Sequence, residues 1–419
     1  MIFERKPFKM TEMNKHWLTR IPLNIWIVSV VTLLVNLSSI MIFTLWPLYI
    51  THVFGLSIFR LGLLEGVIEF GSWCIRICAG VVSDILKKRK PVFIFAYTLI
   101  ALTRPIFALA PGLGWVYGAR LTDRLANGLQ ATPREALVGD SAPADLKGAC
   151  FGLRQSLGVV GSLLGALFVM LLMHKTDNHY QTIFWYASIP TCIALLIIVF
   201  FLHEKQICPK EVQEVSEPPL LSRFRSLFDL NAQFWILAMI AGVFMISNYS
   251  GIYRVLQAER MNIPLSDISL IMVVQNLGAM LAGLPIGKLS DKFDRRIFLS
   301  IGFVFTILSN LCFGTHHEWL FFCGAVLWGV QMGITQSILL TMVADTTKQS
   351  LRGTAFGIYY FINAVALFMS DTLTGYLFDV YGPFSAFCVS ATIAGVCLFL
   401  VPLIKLKSRE PQIVDGIIR

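Results

Sequence analysis

Long apolar runs separated by short polar links make up almost the whole chain. Each run spans roughly 20 residues, enough to cross a hydrocarbon core of about 30 Å as a helix. The runs fall near 25–50, 59–83, 91–110, 114–137, 149–173 and 182–202, then near 233–253, 267–290, 297–314, 319–343, 354–377 and 384–404. Between the two sets lies a polar stretch with Glu204, Lys205, Lys210, Glu211, Glu214, Glu217, Pro218 and Pro219, followed by a candidate surface helix at 221–228. The strict alternation of a membrane β-barrel is absent, which leaves helices to do the spanning. The pattern predicts an all-α polytopic membrane protein with twelve transmembrane helices in two six-helix bundles. The expected units are an N-terminal segment 1–24, a first bundle 25–202, a linker 203–232, a second bundle 233–404 and a tail 405–419.

Composition agrees. Hydrophobic residues make up 56% and charged residues 14% of the chain, with a mean hydropathy of +0.70, outside the range of soluble globules. The net charge of +9 raises the question of nucleic acid. Its lysines and arginines, however, sit in the links between runs and not in a patch interleaved with aromatics, which sets nucleic acid aside. Lys87–Lys90, Arg223, Arg225, Lys292, Arg295, Arg296, Lys405, Lys407 and Arg409 all fall on one side, whereas the opposite links hold only Arg60, Lys175, Arg254 and Arg260. The positive-inside rule then places both termini and the linker in the cytoplasm. The first run is too long for a signal-peptide core and reads as the first span. The nine cysteines form neither a disulfide framework nor a zinc spacing. There is no Gly-x-x-x-x-Gly-Lys-Ser/Thr loop and no His/Asp/Ser or metal cluster, so neither an enzyme nor a cofactor is expected.

The halves repeat one another. Gly287-Lys288-Leu289-Ser290-Asp291-Lys292-Phe293-Asp294-Arg295-Arg296 is echoed by Gly80-Val81-Val82-Ser83-Asp84, which Lys87-Lys88-Arg89-Lys90 follows. Asp140-Ser141, then Leu146 to Gly152, is echoed by Asp345-Thr346, then Leu351 to Gly357, at nearly the same interval. Two echoes at one interval mark an internal duplication. With these motifs the chain resembles the major facilitator superfamily over nearly its whole length. The 287–296 loop matches that family's signature between the second and third helices of each half, with Asp294 where a second glycine is common. In the first copy Ile85 replaces a basic residue and Lys87 the glycine. Arg124 and Gly128 are similar to the fourth-helix motif. Gly158, Gly161 and Gly165 are similar to the antiporter motif without its proline. The resemblance implies two pseudo-symmetric bundles working by alternating access. It also implies a latch formed in one access state and broken in the other, involving Gly80, Asp84, Lys88, Arg89, Asp140, Gly287, Asp291, Lys292, Arg295 and Arg296. The plainer alternative is that these loops only set topology.

Buried charge carries the chemistry. Glu65, Glu69, Ser72 and Arg76 advance by four, three and four and so share one helix face. An ionised side chain facing lipid is costly, so that face points inward. Arg120, Asp123 and Arg124 add to it from the fourth span, and Arg154 from the fifth. The second half offers Asp371, with Arg254 near an outer end, and otherwise neutral polar and aromatic residues such as Asn248, Gln275, Gln331, Asn363, Tyr249, Trp328 and Tyr359. This division assigns charge recognition and coupling to the first half and shape recognition to the second. The alternative is an ion-pair network that only locks the first bundle. With no histidine deep in a span, a proton relay would use Glu69 or Glu65. Arginines outnumber carboxylates, which points to an anionic solute.

The expectation is therefore a proton-coupled, monomeric inner-membrane transporter for a small polar anion, with uptake of a ferric polycarboxylate siderophore as one concrete version. Export of drugs or metabolites is the alternative. A non-transporting receptor or scaffold on this fold is a further class, which a large soluble sensory or catalytic domain would favour, and none is expected here.

Overall fold

The computed structural model describes residues 20–86, 89–143, 146–176, 179–203, 230–290, 293–347 and 352–404. The expected linker helix at 221–228, the tail 405–419 and most of segment 1–24 lie outside these residues, as do Lys88, Asp291 and Lys292. The first half holds α1 Leu23–Phe54, α2 Ile58–Leu86, α3 Lys90–Leu109, α4 Leu113–Ser141, α5 Lys147–Lys175 and α6 Tyr180–Phe201. The second holds α7 Ala232–Ile246, α8 Ile252–Arg260, α9 Leu265–Ser290, α10 Arg295–Phe313, α11 Glu318–Asp345, α12 Arg352–Val380 and α13 Pro383–Leu400. Eight of these are long and apolar enough, by composition, to cross a bilayer. The 29-residue α2 and α4 have the length, but the charges of the buried stripe lower their hydropathy.

Local chemistry sets the helix ends. Gly55 closes α1 in the left-handed region (φ 61°), its N–H donating to the Ile50 and Thr51 carbonyls. The Asp294 carboxylate caps α10 by accepting from the Arg296 N–H at 2.9 Å. The seventh crossing differs from expectation. The apolar run predicts a continuous helix over 233–253, but the chain leaves helical geometry after Ile246 and resumes at Ile252. The intervening Asn248, Ser250 and Gly251 are poor helix formers, so the crossing divides into α7 and α8.

Packing follows the duplication. The α1/α5 contact in the first half corresponds to α7/α12 in the second, α2/α4 to α9/α11, and α3/α6 to α10/α13. The halves meet through α2 against α12 and α5 against α9, the same pairing under the pseudo-twofold. The small residues of α5 serve packing within a half: a β-carbon on Gly161 or Gly165 would collide with the Leu33 or Leu37 carbonyl of α1.

The apolar cores are unequal at the two ends. Call the end near Asn24 and His203, whose side chain and carbonyl are 2.7 Å apart, the terminal face. Toward the opposite face a single cluster runs through both halves, from Trp46, Tyr49 and Leu61 to Tyr253, Leu256 and Phe378. Toward the terminal face each half has its own cluster. Further inter-half contacts hold the opposite face together. His52 pairs with Glu259, the Phe59 N–H reaches an Asp379 carboxylate oxygen at 3.5 Å, and Phe59 and Tyr376 meet edge to face.

Candidate functional site

A cavity of about 550 Å³ lies between the halves beneath the shared core. The first half lines it with Phe43, Glu69, Trp73, Arg76 and Arg124. The second contributes the α7–α8 junction, Gln275, Trp328, Tyr359, Tyr360, Asn363 and Asp371. On the side toward the terminal face, the α2/α12 contact reaches as far as the Trp73–Tyr360 ring pair, whose centroids are 5.5 Å apart.

The charged stripe on α2 divides by depth. Near the opposite face, Glu65 is fully buried and accepts from Arg120 at 2.6 Å. Arg120 also approaches Asp123 at 3.9 Å, and Asp123 pairs with Arg104 of α3 at 2.9 Å. Arg104 in turn donates to the Ser39 hydroxyl at 3.0 Å. This chain of four paired side chains crosses α2, α4 and α3 and does not line the cavity. One turn deeper, Glu69 and Arg124 pair at 3.2 Å, each partly exposed, and both line the cavity. Arg76 lies over the Trp73 ring at 4.7 Å and has no ion pair among the described residues. Arg154 pairs with Glu135 at 3.0 Å, Arg134 joins them at 3.3 Å, and none of the three lines the cavity.

Sequence reading missed Arg104, Arg134 and Glu135. Arg104 carried a signal, since a lone arginine in the middle of an apolar run needs a buried partner. Arg254, expected near an outer end, is 3% exposed and lines the cavity. Its guanidinium lies 4.4 Å from the Trp328 ring, 5.6 Å from Tyr249 and 5.9 Å from Phe313. Asp371 of α12 is 1% exposed, and one of its carboxylate oxygens accepts the Ser250 N–H at 2.7 Å.

At the terminal face the repeated loops form matching ion pairs. Arg89 and Asp140 are 2.6 Å apart, and Arg295 pairs with Asp345, each pair joining the third and fourth crossings of its own half. Arg296 turns back onto Asp294 at 2.5 Å. That contact first, and the Arg296 N–H second, hold the Asp294 carboxyl below its usual range, with burial opposing them. Gly80 and Asp84 lie in the last turns of α2 and Gly287 in the last turns of α9.

Comparison with known proteins turns this architecture into an assignment. The Major Facilitator Superfamily profile matches residues 28–259 and 255–416. The chain belongs to this family. An uncharacterized MFS-type transporter of Methanocaldococcus jannaschii is 25% identical over 390 residues, covering 90% of this chain and 94% of that one. A multi-drug resistance efflux pump PmrA homolog of Lactococcus lactis is 25% identical over 226 residues, covering 53% of this chain and 55% of that one. Among solved structures, the nucleoside transporter NupG superposes with a TM-score of 0.74 at 14% identity, covering 91% of this chain and 99% of that chain. The twelve crossings in two pseudo-symmetric bundles are the MFS fold, and this MFS protein is a multi-pass membrane transporter with a cavity where its two halves meet.

Proposed function

We propose that this chain is a proton-coupled secondary transporter of the inner membrane, carrying a small organic anion by alternating access as a monomer. One observation carries the reading. Beneath the shared apolar core, the cavity presents Arg76, Arg124 and Arg254 against Glu69 and Asp371. Among the described residues only Arg124 of the three is ion-paired, so an incoming anion finds guanidinium groups in excess. With the termini in the cytoplasm, as the positive charges indicate, the shared core seals the outer side and the conformation is inward-facing. The coupling proton is carried in this reading by Glu69 or Asp371, the two carboxylates that line the cavity. In this reading the Glu65–Arg120–Asp123–Arg104 chain holds the first bundle rigid.

A ferric polycarboxylate siderophore would meet only two guanidinium groups free of ion pairs, which favours a cargo of lower charge. Export is the second reading, supported by the efflux-pump name of the Lactococcus relative. Reconstitution in liposomes decides between them. Flux of an organic anion should follow an imposed pH gradient, inward for symport and outward for antiport. Flux indifferent to the gradient removes the proton from the mechanism. Glu69→Gln and Arg124→Ala should each reduce the rate at least tenfold, about 1.4 kcal/mol of lost stabilisation; folded variants running at the parental rate would remove this pair from the site.

A further inference from the structure

The wall contributed by the second half carries unfilled hydrogen-bonding groups of both kinds. Arg254 is 3% exposed, yet its Nε and Nη1 have no hydrogen-bond partner. Asp371 is 1% exposed; its Oδ1 accepts from Ser250, while Oδ2 has no partner. Both residues line the same cavity. Buried donors and acceptors left unmade cost about 1–3 kcal/mol each, more when charged, so such groups are ordinarily satisfied. Gln275 and Asn363, on the same wall, each have a buried amide oxygen without a partner. Unpaired donors and unpaired acceptors lining one cavity describe the complement of a ligand that carries both.

The surroundings restrict that ligand further. The Arg254 guanidinium is packed among the Trp328, Tyr249 and Phe313 rings, which fix its plane and exclude water. Phe43, Trp73, Phe244, Tyr359 and Tyr360 add further rings to the lining. A cavity of about 550 Å³ is in the size range of sites for small organic ligands.

We propose that Arg254 and Asp371 form the specificity subsite of this transporter and recognise a carboxylate with a hydrogen-bond donor, hydroxyl or ammonium, on the adjacent carbon and an aromatic or apolar body. Arg254 takes the carboxylate, Asp371 Oδ2 accepts from the neighbouring donor, and the rings cover the body. The subsite rests on the transport reading above and narrows its substrate class from any small anion to 2-hydroxy and 2-amino acids. It departs from the division of labour expected from sequence by placing charge recognition in the second half as well.

Binding to the purified full chain tests this. Quenching of tryptophan fluorescence, with Trp73 and Trp328 in the wall, would be followed for 3-phenylpropanoate, 3-phenyllactate and phenylalanine, which differ only at the carbon beside the carboxylate. In the parent protein the two donor-bearing compounds should bind at least about tenfold tighter than 3-phenylpropanoate, the effect of one hydrogen bond to a charged group. Asp371→Asn should abolish that preference. Arg254→Gln should weaken all three by about thirtyfold or more. Equal affinities across the series in the parent protein overturn the subsite while the anion reading stands, and this comparison needs no variant to fold. Absence of binding by all three at millimolar concentration overturns both. Unchanged affinity in folded Arg254→Gln also overturns the subsite.

Discussion

Single residues on α2 show how position decides the role of a charge. Glu65 and Glu69 are one turn apart on one helix face, yet Glu65 is sealed against Arg120 and Glu69 meets the cavity beside Arg124. Glu65→Gln leaves a buried guanidinium short of its closest carboxylate. The expected cost is about 3 kcal/mol of stability, read as a lower melting temperature in detergent, whereas Glu69→Gln should melt near the parent and lose transport. Asp294 makes a second test. Its carboxyl titrates below the usual range because Arg296 and the α10 N-terminus favour the ionised form. Its contribution is therefore present above the ordinary carboxylate pKa and is lost as pH falls through the lower folded value. Asp294→Ala should cost about 1 kcal/mol at neutral pH, and the melting difference from the parent should shrink in acid. The shared face of Glu65, Glu69 and Arg76 was legible from spacing alone. Which of them reaches the cavity was not, because that depends on tertiary packing: Glu65 is buried against Arg120 of α4, whereas Glu69 and Arg76 line the cavity.

Among the helices, the sequence revealed most where structure is set by local composition. Apolar length announces the crossings, and the repeated Gly-to-Arg loops announce the duplication. The break in the seventh crossing was written in Asn248, Ser250 and Gly251, but an apolar run read for length alone passes over it. The break bears on the site, since the α7–α8 junction lines the cavity and Arg254 follows it on α8. Helix contacts were visible only as glycines without an assigned neighbour. In α5 that neighbour is α1, and Gly161→Leu should force the two apart. The expected result is a sharp loss of folded, monodisperse protein in size-exclusion chromatography, with Gly152→Leu, where a side chain meets open space, as the silent control.

For the whole molecule, the unequal cores define the conformation. One apolar cluster joins the halves at the face opposite the termini, and two separate clusters face the other way. Gly62 and Gly375 permit that closure, since a side chain on Gly62 would strike the Tyr253 hydroxyl and the Asp371 carbonyl, and one on Gly375 would lie against the Ile58 carbonyl at 3.1 Å. Gly62→Leu should hold the sealed face ajar. A cysteine placed at Asn248 would then react faster with an impermeant thiol reagent added from outside than it does in the Gly62 parent, and an unchanged rate would separate the glycine from the seal.

The broken seventh crossing has a mechanical meaning as well. Interrupting a helix within the bilayer strips a backbone N–H of its usual acceptor where no lipid can replace it, at a cost of several kcal/mol. Ser250 finds that acceptor on α12, in the Asp371 carboxylate, and the Tyr253 hydroxyl donates to the Asp371 carbonyl. Sliding α12 along the junction would undo both bonds at once. The junction and α12 are therefore tied together through one residue, and a change at Asp371 is felt at once by the break and by the cavity wall.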